Sequence, residues 1–482
     1  MIDLRPIGYI VGLVVAVMGA IMLVPLGIEL ALAGTAGRGF LQSAALAGFC
    51  GGLTALACAN RRGQGLDLQQ TFVLTNAIWA VAVLVGALPF LLVVDGMSFT
   101  DAIFESTSGL TTTGASVLVG LDGLSKGLLI WRAILQWLGG LGILILAMIF
   151  LPVMKVGGMQ FFKTEGFDTL GKVMPRALDI AQAVLGVYTL ITVACVMAYA
   201  GFGMSGFDAV AHAFTTVSTG GFSTSDASFG KFSGPLEYVA TVFMFASSLP
   251  FIRFVQLYGG SVTPMWYDPQ VRGFARYLGY MVALILIYRL ATSPESAETI
   301  FRTTLFNVTS MMTGTGFASA YIPDWGPFAV LIVFVLGFVG GCTGSSSAGA
   351  SVFRFQVLFL AIGAQIRQIH APHRLVKLRY GDRILEDDVI YPVIAFFSWY
   401  FGLIILATVI LALSGLDFET AVFASWTSLA NIGAAIGPGV MPSYTMLDFP
   451  DLAKWVMIIA MMLGRLGILS VLVILLPRFW RS

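Results

Sequence analysis

Charge is what this sequence has least of. Of 482 residues, 11% are Asp, Glu, Lys or Arg, less than half the roughly 25% of soluble proteins. A chain this poor in charge cannot cover a water-facing surface, form a disordered tail or grip nucleic acid. Its 26 basic and 25 acidic residues leave a net charge of +1, so no excess of one sign speaks for a charged partner. Three histidines, His212, His370 and His373, offer no metal cluster. Four cysteines, Cys50, Cys58, Cys195 and Cys342, sit in apolar or glycine-rich stretches. They argue against a disulfide framework and read as small buried thiols. No Gly-x-Gly-x-x-Gly follows a strand and no Gly-Lys-Ser/Thr occurs, so this chain carries no nucleotide-binding fingerprint of its own.

What is abundant is apolar. Hydrophobic residues make up 58%, with 55 glycines besides. A bilayer core takes a helix of about 20 apolar residues. Long apolar segments fall near 7–32, 41–59, 71–95, 127–152, 178–201, 236–260, 275–293, 326–341, 352–366, 389–413 and 452–476. Ala31-Leu32-Ala33 faintly resembles a signal-peptidase site, but the stretch before it exceeds an h-region of about 7–15 residues. A retained membrane helix is expected there.

Between certain long segments lie shorter ones rich in Ser, Thr and Gly, near 100–116, 206–223, 297–319 and 417–437. They are too short to span, and their polar groups demand protein or a water-filled cavity around them. The order long–short–long recurs four times after two extra helices. The residues repeat as well: Thr112-Thr113-Gly114, Ser218-Thr219-Gly220, Gly314-Thr315-Gly316 and, most weakly, Asn431-Ile432-Gly433. Leu138-Gly139-Gly140-Leu141 likewise answers Leu463-Gly464-Arg465-Leu466. The expected fold is an all-α polytopic membrane protein of four pseudo-symmetric helix–pore loop–helix repeats around one central pore. Two N-terminal helices (1–66) precede repeats at 67–175, 176–272, 273–385 and 386–482. Placing both termini in the cytoplasm puts most Lys and Arg of the loops inside.

Each short segment reads as a half-helix whose C-terminus carries partial negative charge. Glycine then allows the left-handed backbone that aims successive carbonyls at one axis. Four such stretches make a ring of oxygens able to replace the hydration shell of a monovalent cation. Small residues also serve close helix packing in membranes. Four stretches in register, each between two spans, favour the ring.

The layout, with Phe104–Ser116, Thr215–Ser223 and Gly340-Gly341-Cys342-Thr343-Gly344-Ser345, resembles the Trk/Ktr/HKT superfamily of potassium transporters. The extra N-terminal helices and the length resemble its bacterial TrkH branch. The resemblance spans essentially the whole chain; its motifs are specific as a set and weak singly. It implies a potassium uptake pore of the bacterial inner membrane, a homodimer with one pore per protomer, set in membrane lipid. A separate cytosolic nucleotide-binding ring protein of the TrkA type would regulate it. Potassium is then the substrate, with no cofactor in this chain. Gly114, Gly220, Gly316 and Gly433 match the family's filter glycines. A serine at the first glycine goes with sodium preference in plant members, so Gly114 implies potassium. Asn431-Ile432 in the fourth segment departs from Thr112-Thr113 in the first.

Two elements read as a gate. Residues 326–369 are too long for one straight span and hold Gly340, Gly341, Cys342, Thr343, Gly344, Ser345, Ser346, Ser347 and Gly349 at their middle. Glycine and serine disfavour helix there, leaving a polar loop at membrane depth. The family has an intramembrane gate at this place. Arg465 lies near the middle of the last span, where a charge needs a cavity or a partner. It matches the family's arginine and is expected to project beneath the filter as a barrier to cations. Arg253, the other intramembrane arginine, is expected to snorkel or to meet a carbonyl. The basic stretch Arg367–Arg383 suits a lipid anchor or a docking surface for the regulatory ring.

Two rivals remain. Gly203-Met204-Ser205-Gly206 matches an intramembrane serine protease motif, but His212 lies on the same short segment and no base comes from another helix. A proton- or sodium-coupled symporter needs acids or histidine within spans. Here Asp101, Glu105, Asp208, Glu295, Glu298, Asp417 and Glu419 cluster at segment ends, where they cap helices or draw cations.

Overall fold

A computed structural model describes residues 3–61, 66–146, 177–371, 377–381, 383–441 and 443–480. Among the described residues, eight helices are long and apolar enough to cross a membrane. The first two spans are α1 (Arg5–Ile21) with α2 (Leu23–Ala31), and α3 (Gly37–Ala57). They meet through small residues: a Cβ on Gly12 would strike the backbone of Gly51 and Ala55, and one on Gly19 that of Gly48. Such close approach is how apolar helices gain contact energy in lipid. Glu29, 2% exposed, fastens this pair to the rest. Its carboxylate accepts from Gly127 N at 2.6 Å and Ala36 N at 3.3 Å. Gly127 lies in the first turn of a later helix, where a negative charge also meets the positive helix end.

Beyond them come α4 (Leu68–Gly86) and α5 (Leu88–Val93), the short α6 (Phe99–Leu110), and α7 (Lys126–Ile145). Then follow α8 (Ala177–Gly201), short α9 (Gly206–Val217), α10 (Pro235–Ser247), α11 (Phe251–Tyr258) and α12 (Thr263–Tyr267). The third group is α13 (Pro269–Thr292), short α14 (Ala297–Thr313), α15 (Pro327–Val339) and α16 (Val352–His370). The last is α17 (Asp387–Leu413), short α18 (Phe418–Ala430), α19 (Asp451–Leu466) and α20 (Ile468–Leu475). A two-stranded antiparallel hairpin, β1 (Arg379–Tyr380) with β2 (Arg383–Ile384), qualifies the all-α expectation.

One local rule starts all four short helices. Ser98, Ser205, Ser296 and Asp417 are their N-caps, each accepting from the backbone N–H three residues on. That satisfies a donor the helix leaves orphaned. Ser205 is thereby a cap, bonded also to Asp208 Oδ2 at 2.8 Å. His212 engages Asp208 O at 2.9 Å and Ser223 Oγ at 3.0 Å. Ser205 and His212 are thus each bonded to other groups, and the two form no protease dyad.

The span boundaries differ from expectation where backbone conformation intervenes. The apolar run at 236–260 breaks between α10 and α11 with a bend of 92°, and that at 452–476 between α19 and α20 with one of 110°. Pro250 and Gly467 sit at these breaks, Gly467 with φ 85°. Three basic residues that cytoplasmic termini would place on the outer side, Arg132, Arg289 and Lys454, are buried. Lys155, Lys163, Lys172, Arg176, His373 and Arg374 lie outside the described residues. Of the cysteines, Cys195 and Cys342 are buried, whereas Cys58 is half-buried and Cys50 exposed.

Candidate functional site

The four short helices end alike. Each is followed by a residue in the left-handed region: Thr112 (φ 53°), Thr219 (52°), Gly314 (73°) and Asn431 (52°). Two residues later comes a second: Gly114 (85°), Gly221 (77°), Gly316 (78°) and Gly433 (79°). The residue between sends its N–H back to the helix, Thr113 to Ser108 O, Gly220 to Thr215 O, Thr315 to Ser310 O and Ile432 to Thr427 O, at 2.8–3.0 Å. The matching segments are therefore Thr112-Thr113-Gly114, Thr219-Gly220-Gly221, Gly314-Thr315-Gly316 and Asn431-Ile432-Gly433. In the second, the expected frame of Ser218-Thr219-Gly220 is one residue early. Two adjacent glycines hid the choice, and only backbone handedness separates them.

These segments close on one another. A Cβ on Gly114 would meet Gly220 O, one on Gly221 would meet Thr315 O, one on Gly316 would meet Ile432 O, and one on Gly433 would meet Thr113 O. Glycine is thus required twice over, by φ and by the neighbouring carbonyl. Side-chain bonds brace the ring: Thr111 with Thr113 and Thr313 with Thr315, both at 2.7 Å between hydroxyls. Asn431 Nδ2 donates to Thr113 Oγ1 and Met461 O, each at 2.9 Å.

Behind the ring lies an ion pair that sequence reasoning missed. Arg132 Nε meets Glu105 Oε1 at 2.7 Å, with side chains 2% and 0% exposed. Arg132 also donates to Ser223 O at 2.9 Å and Ser116 Oγ at 3.1 Å. Glu105 Oε2 accepts from Val117 N at 3.0 Å. Every strong donor and acceptor is satisfied, as burial of a charge pair requires. The network holds the stretches after Gly114 and Gly221 together.

A cavity of about 470 Å³ opens on one side of the ring, touching Gly114, Gly221, Gly316 and Gly433. On the other side a space of about 90 Å³ is lined by Asn431, Ser347, Tyr400 and Arg465. Between α15 and α16 the stretch 340–351 fills this second region. It is anchored to the broken second unit: Cys342 N donates to Ser248 O at 2.9 Å, and Phe251 N to Gly344 O at 2.9 Å. Thr343 N donates to Gln270 Oε1 at 2.8 Å, and Ser345 Oγ to Cys342 O at 2.6 Å. Gly340 (φ 70°) and Gly349 (84°) approach so closely that neither admits a side chain; Gly341 similarly faces Ser347.

The loop also caps three short helices from below. Ser346 Oγ donates to Val217 O at 2.7 Å, Ser347 Oγ to Thr313 O, and Gly349 N to Ala430 O at 3.1 Å. Carbonyls that the helix ends leave unpaired are thereby occupied. Arg465, 5% exposed, donates from Nη2 to Ser346 O at 3.1 Å. Arg253 instead pairs with a carboxylate, Asp268 Oδ2, at 2.8 Å. Asp268, fifteen residues on, folds back beyond α11 to supply this carboxylate, and Arg253 Nη1 also donates to the side-chain amide carbonyl oxygen of Gln256 at 3.1 Å.

A family model described as "Cation transport protein", TrkH, matches residues 38–481. The chain belongs to the TrkH family. Among similar proteins, the Trk system potassium uptake protein TrkI of Halomonas elongata is 42% identical over 416 residues, 86% of this chain and 84% of that one. The Trk system potassium uptake protein TrkH of Salmonella typhimurium is 36% identical, covering 99% of both. The crystal structure of the potassium transporter TrkH from Vibrio parahaemolyticus superposes with a TM-score of 0.92 at 34% identity over the full length of both chains. TrkH membership agrees with the multi-span helical fold.

Proposed function

We propose that this chain takes up potassium across the bacterial inner membrane through the four-segment ring. The observation that carries the reading is closure: each glycine abuts a carbonyl of the next segment, and the fourth returns to the first. Neutral oxygens at the ends of four helices suit a monovalent cation, which pays less to lose its water than a divalent one does. Thr113, Gly220, Thr315 and Ile432 supply the carbonyls; the flanking Thr112, Thr219, Gly314 and Asn431 set their direction. Stretch 340–351 acts as the gate. It occupies the three helix ends that would otherwise attract a cation, and Arg465 adds a positive charge at Ser346. Opening requires these bonds to be exchanged for water. The termini face the cytoplasm, the chain works as a homodimer, and a cytosolic nucleotide-binding ring protein of the TrkA type drives the loop.

Flux into liposomes of purified protein with that partner tests this, comparing potassium, rubidium, sodium and lithium for wild type, Gly114→Ser and Gly221→Ser. A side chain at these φ values costs about 1–2 kcal/mol and displaces a ring carbonyl. Potassium and rubidium preference in wild type, relaxed toward sodium in both variants, is expected. Equal flux of all four cations in wild type overturns the filter.

A further inference from the structure

Gln136 belongs to the first unit, on α7, yet its side chain grips the second. Its Nε2 donates to Gly220 O at 2.6 Å, and its Oε1 accepts from Phe222 N at 3.0 Å. The amide straddles Gly221 as a neighbouring strand would. Gln136 is fully buried, so these two bonds have no water to replace them.

Gly220 itself explains the arrangement. Unlike Gly221, it is not in the left-handed region. A Cβ there would meet Cδ, Oε1 and Nε2 of Gln136. Close approach, not handedness, demands glycine at 220. The alignment of Leu138-Gly139-Gly140 with Val339-Gly340-Gly341 puts Gly337 at the position of Gln136. There the volumes are exchanged. Gly337 is bare, and a Cβ on it would meet the Trp426 ring first and then Cδ1 of Ile432, the ring residue of the fourth segment. A large side chain from the preceding helix backs a glycine at 220. Large side chains of the fourth unit, Ile432 of the ring with Trp426 of its helix, fill the notch at 337.

We infer that Gln136 is a positioning residue for cation selectivity, fixing the Gly220 carbonyl from the neighbouring unit. The inference rests on the filter reading above. A carbonyl held by a short bond cannot swing inward to grip a smaller, more strongly hydrated ion. The discrimination by a ring of oxygens depends on how their positions and field respond to the ion. Gln136 makes the second oxygen of the ring the most constrained of the four.

The test is sodium-to-potassium flux in liposomes with the regulatory partner, alongside thermal stability of each variant in detergent. Gln136→Leu keeps the bulk and loses both bonds; about a tenfold rise in the sodium-to-potassium ratio is expected, together with a lowered melting temperature because Gly220 O and Phe222 N are left buried and unpaired. Gly220→Ile alone collides with Gln136 and loses flux. Gln136→Gly combined with Gly220→Ile rebuilds the Gly337–Ile432 arrangement and recovers selective flux, a rescue that a merely structural role does not predict. A wild-type ratio in Gln136→Leu, or a double variant no better than Gly220→Ile, overturns the inference. Gly114→Ser separates the two levels. If it relaxes selectivity while Gln136→Leu does not, the positioning role falls alone; if neither does, the filter falls with it.

Discussion

Removing the charge of Arg465 while keeping its hydrogen bond separates two ways in which this residue could block cations. Arg465 Nη2 lies 3.1 Å from Ser346 O. A potassium ion taking that carbonyl as a ligand would stand roughly 6 Å from the guanidinium. At an effective dielectric near 20, the repulsion is about 3 kcal/mol, or about 100-fold in passage rate. Arg465→Gln retains a donor for Ser346 and removes the charge. Arg465→Lys retains the charge and loses the planar fork. Potassium flux into liposomes without the cytosolic partner reads the leak through the closed state. The electrostatic account expects leak to rise toward 100-fold in Gln and to stay near wild type in Lys. If instead Lys leaks and Gln does not, the residue works by pinning the loop. If neither leaks, Arg465 is no barrier and the loop closes the path alone.

Glu105→Gln strands the charge of Arg132 in a dry site and should cost about 3–5 kcal/mol. Replacing both members by Met should cost less than Glu105→Gln alone; denaturation in detergent measures both, and a Glu105→Gln loss below about 1 kcal/mol refutes the brace. The half-exposed pair Asp122–Lys231, 2.7 Å apart in the loops beyond the ring, behaves oppositely. The Lys231 hydrogen bond, followed by that of Ser225, holds the Asp122 carboxyl below its usual range, and Asp122 raises Lys231. The carboxyl's contribution is present above its ordinary value and is lost as pH falls through the lowered one. The ammonium's contribution is present below its own ordinary value and is lost as pH rises through the raised one. Stability owed to the pair should therefore be flat between about pH 5 and 9, and Asp122→Asn should cost under about 1 kcal/mol. A melting temperature that varies with pH in wild type but not in Asp122→Asn across that window would contradict this.

What could be read from residues alone follows from the bilayer's demands. Runs of apolar residues marked the spans because lipid admits little else, and Ser/Thr/Gly stretches stood out against them. The caps Ser98, Ser205, Ser296 and Asp417 were equally legible in principle, since capping is local. Gly114 and Gly316 were legible as the glycines of their segments because each directly follows a threonine and no second glycine adjoins it. Gly221 was not, because Gly220 precedes it and no pattern tells a glycine required by φ from one required by a neighbour.

Tertiary structure alone decided the rest, and for one reason: the deciding contacts join residues distant in the chain. Gln136 meets Gly220 across two units, Glu105 finds Arg132, and Arg253 finds Asp268 where a helix breaks. Ser346 reaches a helix end 129 residues away. The sequence determined that a membrane protein would carry four polar re-entrant stretches with glycine at their ends. Which carbonyl each glycine faces, and what lies beneath them, was settled only when the helices packed.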